Sequence, residues 1–133
     1  MKRAVVFGTF DRFHPGHEWF LSQASTLCDH LIVTVALDED VQRRKGHRPH
    51  SMLSERIGRV QHFLPHATVN KGDKQEGEWS AFLQEPIDLC IVGYDQTTLR
   101  GALETLRMHR ALSFDIIQLD SYFPERYKTS LYV

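Results

Sequence analysis

Five short apolar runs alternate with amphipathic stretches along this chain of 133 residues. That alternation constrains the fold more than any other feature. The runs are Ala4 to Phe7, Leu31 to Ala36, Ala67 to Asn70, Leu89 to Val92 and Ile116 to Leu119. Most are near-continuous in apolar character, as expected of strands covered on both faces. The first helical pattern runs from about Gly16 to Cys28, with Trp19, Phe20, Ala24, Leu27 and Cys28 on one face. The second follows Ser51 as N-cap and carries Met52, Leu53, Ile57, Val60 and Leu64 before Pro65 stops it. A shorter pattern covers about Trp79 to Gln84, and a fourth follows Thr98 with Leu99, Leu103 and Leu106 at helical spacing. Strand and helix in strict alternation predict a parallel sheet with right-handed crossovers. The expected architecture is α/β: a Rossmann-like, doubly wound, five-stranded parallel sheet in a single domain over residues 1–133.

Such a sheet binds ligands outside the carboxyl ends of its strands. Four segments fall there: Gly8 to His17, Asp38 to His50, Gly93 to Thr98, and the tail after the fifth strand. The formal charge of -1 gives no reason to expect nucleic acid or a membrane surface as partner. The longest apolar run falls far short of the ~20 residues of a transmembrane helix. Met1, Lys2 and Arg3 lead straight into a strand, so no signal peptide is expected and a cytoplasmic location is. Cys28 and Cys90 sit in apolar surroundings without CxxC spacing and read as core thiols.

The segment Gly8-Thr-Phe-Asp-Arg-Phe-His-Pro-Gly-His17 follows the first strand directly and opens the first helix. Gly8 permits a sharp turn or a close backbone approach. The amides of Thr9 and Phe10 can then face phosphate oxygens. Asp11 reads as a turn or cap residue rather than a catalyst. His14 and His17 flank Pro15 and Gly16, and a spacing of three puts both rings on one side of the first helical turn. The partial positive charge of a helix N-terminus favours an anion there. A metal pair is the competing reading, and it lacks a third ligand of obvious spacing, so no metal site is assigned. His30, His47, His50, His62, His66 and His109 form no ligand set either.

This decapeptide resembles the (H/T)xGH signature of the cytidylyltransferase-like nucleotidyltransferase superfamily. That group includes glycerol-3-phosphate cytidylyltransferase, phosphopantetheine adenylyltransferase and the archaeal-type FAD synthase (FMN adenylyltransferase). The resemblance implies transfer of a nucleoside monophosphate from a triphosphate (ATP or CTP) to a phosphorylated small molecule, with Mg²⁺ accompanying the triphosphate and pyrophosphate released. It implies that His14 and His17 donate to the α- and β-phosphate oxygens, with Gly8, Thr9, Phe10, Pro15 and Gly16 around the nucleotide. Lys45, in the basic stretch Arg43 to Pro49, takes the place of a lysine that contacts the triphosphate or the acceptor phosphate. Lys45-Gly46 resembles the Lys-Gly of archaeal-type FAD synthases and of the heptose-phosphate branch. Glu55-Arg56 resembles a recurrent pair whose arginine lies close to the site; Arg56 is equally suited to a phosphate contact or to a structural salt bridge. Gly93 and Asp95 match a Gly-x-Asp element for nucleoside recognition. The string Gly93-Tyr94-Asp95-Gln96 most resembles archaeal-type FAD synthases, which favours ATP and FMN over CTP and glycerol 3-phosphate. A homodimer is compatible with the resemblance.

The tail departs from the family pattern. A Ser/Thr-rich motif that caps a last helix and touches the phosphates is expected, and Tyr127-Lys128-Thr129-Ser130 stands in its place. Thr129 and Ser130 match it, and Lys128 replaces the first serine with a positive charge suited to phosphate. Three residues after Ser130 leave no room for a further helical turn. Tyr122 lies close to where a tyrosine contacts adenine in FAD synthases. A nucleotide-binding module without catalysis is the alternative that the shortened tail supports, and the intact histidine pair opposes it.

Overall fold

The computed structural model describes residues 1–121. Tyr122, Lys128, Thr129 and Ser130 therefore lie outside the described residues. The chain runs β1 (Arg3–Gly8), α1 (Pro15–Thr26), β2 (His30–Val35), α2 (Asp38–Lys45), α3 (Leu53–Phe63), β3 (Thr68–Lys71), α4 (Ala81–Gln84), β4 (Leu89–Val92), α5 (Thr97–His109) and β5 (Asp115–Gln118). All four strand pairings are parallel. The strand order is β3-β2-β1-β4-β5, so the chain winds outward from β1 to one edge and then returns to its other side. The five expected strands and the doubly wound parallel sheet are present.

The two faces of the sheet divide as the period of two in a strand requires. Ala4 and Val6 of β1 and Ile91 of β4 pack with Leu21 and Ala24 of α1 and Val60 of α3. Val5, Cys90 and Val92 turn to the opposite face and meet Leu103 and Leu106 of α5. Each central strand is thus apolar on both sides, which explains its near-continuous run of Val, Ile and Leu. Burial raises the thiol pKa of both cysteines, that of Cys90 to about 12, so neither is poised as a nucleophile.

Three local expectations are corrected. The segment from Asp38 to His50, which has no place among the helical patterns of the sequence, begins with a helix, α2 over Asp38–Lys45. Its only buried residue is Val41, so it carries almost no apolar period. Charge order supports it instead: Asp38, Glu39 and Asp40 occupy the first turn and Arg43, Arg44 and Lys45 the last, matching the helix dipole at both ends. Gly46 closes it at φ 82°. Ser51 is not the N-cap of α3; Met52 is, and the Ser51 N–H donates to Asp11 Oδ1 at 2.9 Å. Trp79 stands before α4 rather than in it, at φ 48°.

Candidate active site at the strand ends

After β1 the chain doubles back through two left-handed residues, Phe10 (φ 54°) and Arg12 (φ 51°). Phe10 folds its ring under the turn and is only 5% exposed. A Cβ on Gly8 would stand 2.7 Å from Phe10 Cε2, so the bare Cα of Gly8 makes room for that ring. Asp11 bridges outward, accepting from the His50 N–H at 2.6 Å and the Ser51 N–H at 2.9 Å. Burial pushes the Asp11 carboxyl up, and the backbone donors His50, Ser51 and Arg12 with the Arg56 charge outweigh it, leaving the pKa below its ordinary value.

His14 is the N-cap of α1 and Pro15 sets the first helical φ. His14 Nδ1 accepts from the Gly16 N–H at 3.0 Å, and His17 Nδ1 accepts from the His14 N–H at 3.3 Å. The two imidazoles fill the parts that a serine and a glutamate play in a capping box. An Nδ1 that accepts carries no proton, so the neutral tautomer of each ring bears its N–H at Nε2. The rings stack with centroids 3.8 Å apart, and Phe10 and Phe13 flank His17 at 5.6 Å. Burial first, and then the neighbouring His14 and Lys45 charges, bring the His17 pKa down to about 3 against the opposing pull of Asp11. Burial also lowers the His14 pKa. Near neutral pH the turn therefore presents two uncharged, oriented N–H donors on a helix N-terminus. This arrangement suits phosphoryl oxygens, and it suits general-base chemistry poorly because such depressed pKa values make weak bases.

These donors line a cleft of about 1050 Å³. Thr9, Phe10, Gly16, Lys45, Gly93 and Asp95 line it as well. The cleft lies at the switch point, where β1 has β2 on one side and β4 on the other. Its lining includes a basic group, Arg44 and Lys45 in the last turn of α2 and Arg48 just beyond it. Asp73, Glu76 and Trp79, from the segment after β3, line the cleft too. Trp79 stands edge-on to Phe7 at 5.6 Å. That segment escaped the sequence reading, which collected the ends of strands one, two, four and five. The carboxyl-end rule, applied to the third strand with Gly72, Gly77 and Trp79 after it, would have found it.

Two sequence candidates are placed away from the cleft surface. Pro15 acts in the cap. Arg56 is fully buried, and of its two readings, a phosphate contact or a structural salt bridge, the structure favours the salt bridge. Its Nη1 donates to the carbonyls of Thr9 (2.9 Å) and Ala36 (2.8 Å), Nε to that of Ser51 (3.0 Å), and Nη2 to Asp38 Oδ1 (2.5 Å). One guanidinium thereby ties the segments after β1 and β2 to the start of α3. Its donors are committed to protein oxygens, which leaves Arg56 a support beneath the phosphate turn.

The comparisons agree with this geometry. The Cytidylyltransferase-like family model matches residues 5–132. A protein named FAD synthase from Aciduliprofundum boonei is 33% identical over 124 residues, covering 92% of this chain and 80% of the relative. Another, from Thermococcus sibiricus, is 31% identical over 129 residues, covering 97% and 84%. Among solved structures, the lipopolysaccharide core biosynthesis protein from Thermoplasma volcanium superposes with a TM-score of 0.79 at 25% identity, covering 92% of this chain and 98% of that one. No helix among the described residues is long and apolar enough to cross a membrane. A family match over nearly the whole length, on a fold that sets two oriented histidine donors at a switch-point cleft, places the chain in the cytidylyltransferase-like family of nucleotidyltransferases.

Proposed function

We propose that this chain is an ATP:FMN adenylyltransferase that forms FAD and pyrophosphate. The observation that carries the reading is the half-buried, stacked pair His14 and His17, each ring held by a backbone N–H so that the neutral tautomer donates from Nε2. The relatives named FAD synthase and the string Gly93-Tyr94-Asp95-Gln96 favour ATP and FMN.

An oxygen of the FMN phosphate attacks the α-phosphorus of ATP. The new P–O bond forms as the bond from the α-phosphorus to the α,β-bridging oxygen breaks, and pyrophosphate leaves with that electron pair. The nucleophile is already an anion, so the protein supplies position and charge stabilisation rather than a base. His14 and His17 donate to α- and β-phosphate oxygens, with the amides of Thr9 and Phe10 and the α1 N-terminus behind them. Lys45 holds a phosphate of the triphosphate or the acceptor. Gly93 lets the nucleoside approach, and Asp95 accepts from ribose hydroxyls. The family resemblance gives Tyr122, Lys128, Thr129 and Ser130, which lie outside the described residues, further contacts to the nucleotide. Asp11, Asp38 and Asp40 are engaged by backbone N–H groups or arginines. A divalent cation, Mg²⁺ by this reading, would be held chiefly by triphosphate oxygens with few protein ligands. When bound it offsets charge on the departing pyrophosphate.

The test is a panel: ATP and CTP, each against FMN, glycerol 3-phosphate and phosphopantetheine, followed by pyrophosphate release and by chromatography of the dinucleotide. ATP with FMN is expected to turn over fastest and yield FAD. Faster turnover of CTP with glycerol 3-phosphate would overturn the acceptor and donor. Tight nucleotide binding without turnover on any acceptor would make the chain a binding module.

A further inference from the structure

The parallel ladder between β1 and β4 stops early. It pairs Ala4 with Leu89 and Val5 with Cys90, although β1 continues to Gly8 and β4 to Val92. In this sheet a carbonyl accepts from the residue one past its partner. Gly8, paired with Val35, accepts from the Ala36 N–H, and Val92, paired with Gln118, accepts from the Leu119 N–H. Continued by two residues, the β1–β4 register would pair Phe7 with Val92 and join the Phe7 carbonyl to the Gly93 N–H. Those two groups are instead held apart by one side chain. Gln96 Oε1 accepts from the Gly93 N–H at 2.8 Å, and Gln96 Nε2 donates to the Phe7 carbonyl at 2.8 Å.

We infer that the Gln96 carboxamide is a positioning residue for nucleotidyl transfer, a wedge that sets the opening between β1 and β4 across which the nucleotide lies. The carboxamide supplies one acceptor and one donor, the pair that the missing ladder rung would have provided. It spaces the phosphate turn that begins at Gly8 from the nucleoside loop that begins at Gly93. The second loop is fixed from its other side too: Gln118 Nε2 donates to the Gly93 and Tyr94 carbonyls at 3.2 Å, and Arg100 Nη1 donates to Gln118 Oε1 at 3.0 Å. A Cβ on Gly93 would lie 3.5 Å from Gln96 Oε1, so the glycine sits directly against the wedge. Gln96 also begins α5 as its N-cap residue, which ties the side chain to a rigid element. This role rests on the nucleotide-transfer reading of the cleft and is independent of which acceptor the cleft takes.

Two variants test it. Gln96→Met keeps the length of the side chain and removes both hydrogen bonds. Its kcat/KM for the nucleotide is expected to fall on the order of a hundredfold, the scale of an ångström-size misplacement, with most of the loss in kcat. Gln96→Glu keeps the acceptor toward Gly93. When ionised it sets a second oxygen against the Phe7 carbonyl, and when protonated it restores the donor. Its rate relative to the wild type is therefore expected to rise as pH falls from about 8 to about 5.5. A merely structural defect would not recover on acidification, and this comparison within one protein stands even if Gln96→Met fails to fold. A Gln96→Met rate within about twofold of the wild type, or a ratio for Gln96→Glu that is flat with pH, overturns the wedge. If the wild type itself turns over no acceptor, the functional reading fails. The wedge is then judged by calorimetric ATP affinity, where an unchanged Kd in Gln96→Met overturns it.

Discussion

Acidification is expected to destabilise the fold through His17, and His17→Asn is expected to remove most of that effect. The folded chain holds the His17 pKa near 3 by burial, against an ordinary value of 6.5 in an unfolded chain. Above about pH 7.5 the ring is neutral in both states and contributes no pH dependence. As pH falls through 6.5 the unfolded chain takes up a proton that the folded chain refuses, so stability drops with falling pH. At about pH 5 the unfolded state gains about 2 kcal/mol from this one proton. That corresponds to a urea midpoint lower by roughly 1 M at ordinary denaturant sensitivity. The assay is urea unfolding at about pH 7.5 and about pH 5, on the wild type and on His17→Asn. The asparagine cannot titrate, so its two midpoints should lie closer together by most of that shift. His14, whose pKa burial also lowers, keeps part of the slope in both proteins. Equal pH responses in the two proteins would refute the claim that His17 is buried in its neutral form.

Arg56→Met should lower stability by about 3–5 kcal/mol, because it strips a buried ion pair and three carbonyl contacts at once. The thermal midpoint reports it, and a change below about 1 kcal/mol would refute the structural role of the buried guanidinium. Gly8→Ala places a methyl 2.7 Å from the ring of Phe10, which itself touches His17. About 1–3 kcal/mol of overpacking is expected in the same melt, together with slower turnover.

How much of this was legible in the sequence depends on whether the signal was local. The five strands were, because each carries its own apolar run. The α1 terminus was too, because Pro15, Gly16 and the two histidines lie within one turn. Helix α2 was hidden: eight residues with one apolar side chain show no period, and its charge order is a weaker sign than a hydrophobic stripe. Arg56 was undecidable for a different reason. Its partners Thr9, Ala36, Ser51 and Asp38 are scattered over the chain, and nothing in a sequence marks an arginine as buried. Gln96 was noticed as part of a string, whereas its contact with Phe7 lies 89 residues away and exists only because a ladder ends early. The tautomers of His14 and His17 belong to the same class, since they follow from backbone donors that only the folded turn aims at Nδ1.

The cleft divides its work between two kinds of donor, and salt can separate them. A stacked pair of charged imidazoles at 3.8 Å would repel, so burial keeps His14 and His17 neutral and fixes their direction. Net positive charge comes instead from solvent-exposed side chains at the end of α2, Lys45 among them. Charge in solvent is screened once the Debye length shortens, from about 10 Å at 0.1 M salt to about 3 Å at 1 M. Oriented neutral hydrogen bonds in a half-buried turn are screened far less. His17→Ala is thus expected to cost about a hundredfold in turnover, near 3 kcal/mol, at low and high salt alike. The Lys45→Ala defect should be marked at low salt and shrink as salt rises, because the wild type loses the same attraction. Pyrophosphate release measured across a salt series decides the matter. If the two defects shrink together, His17 acts as a charge, and the neutral-donor account of the site is wrong.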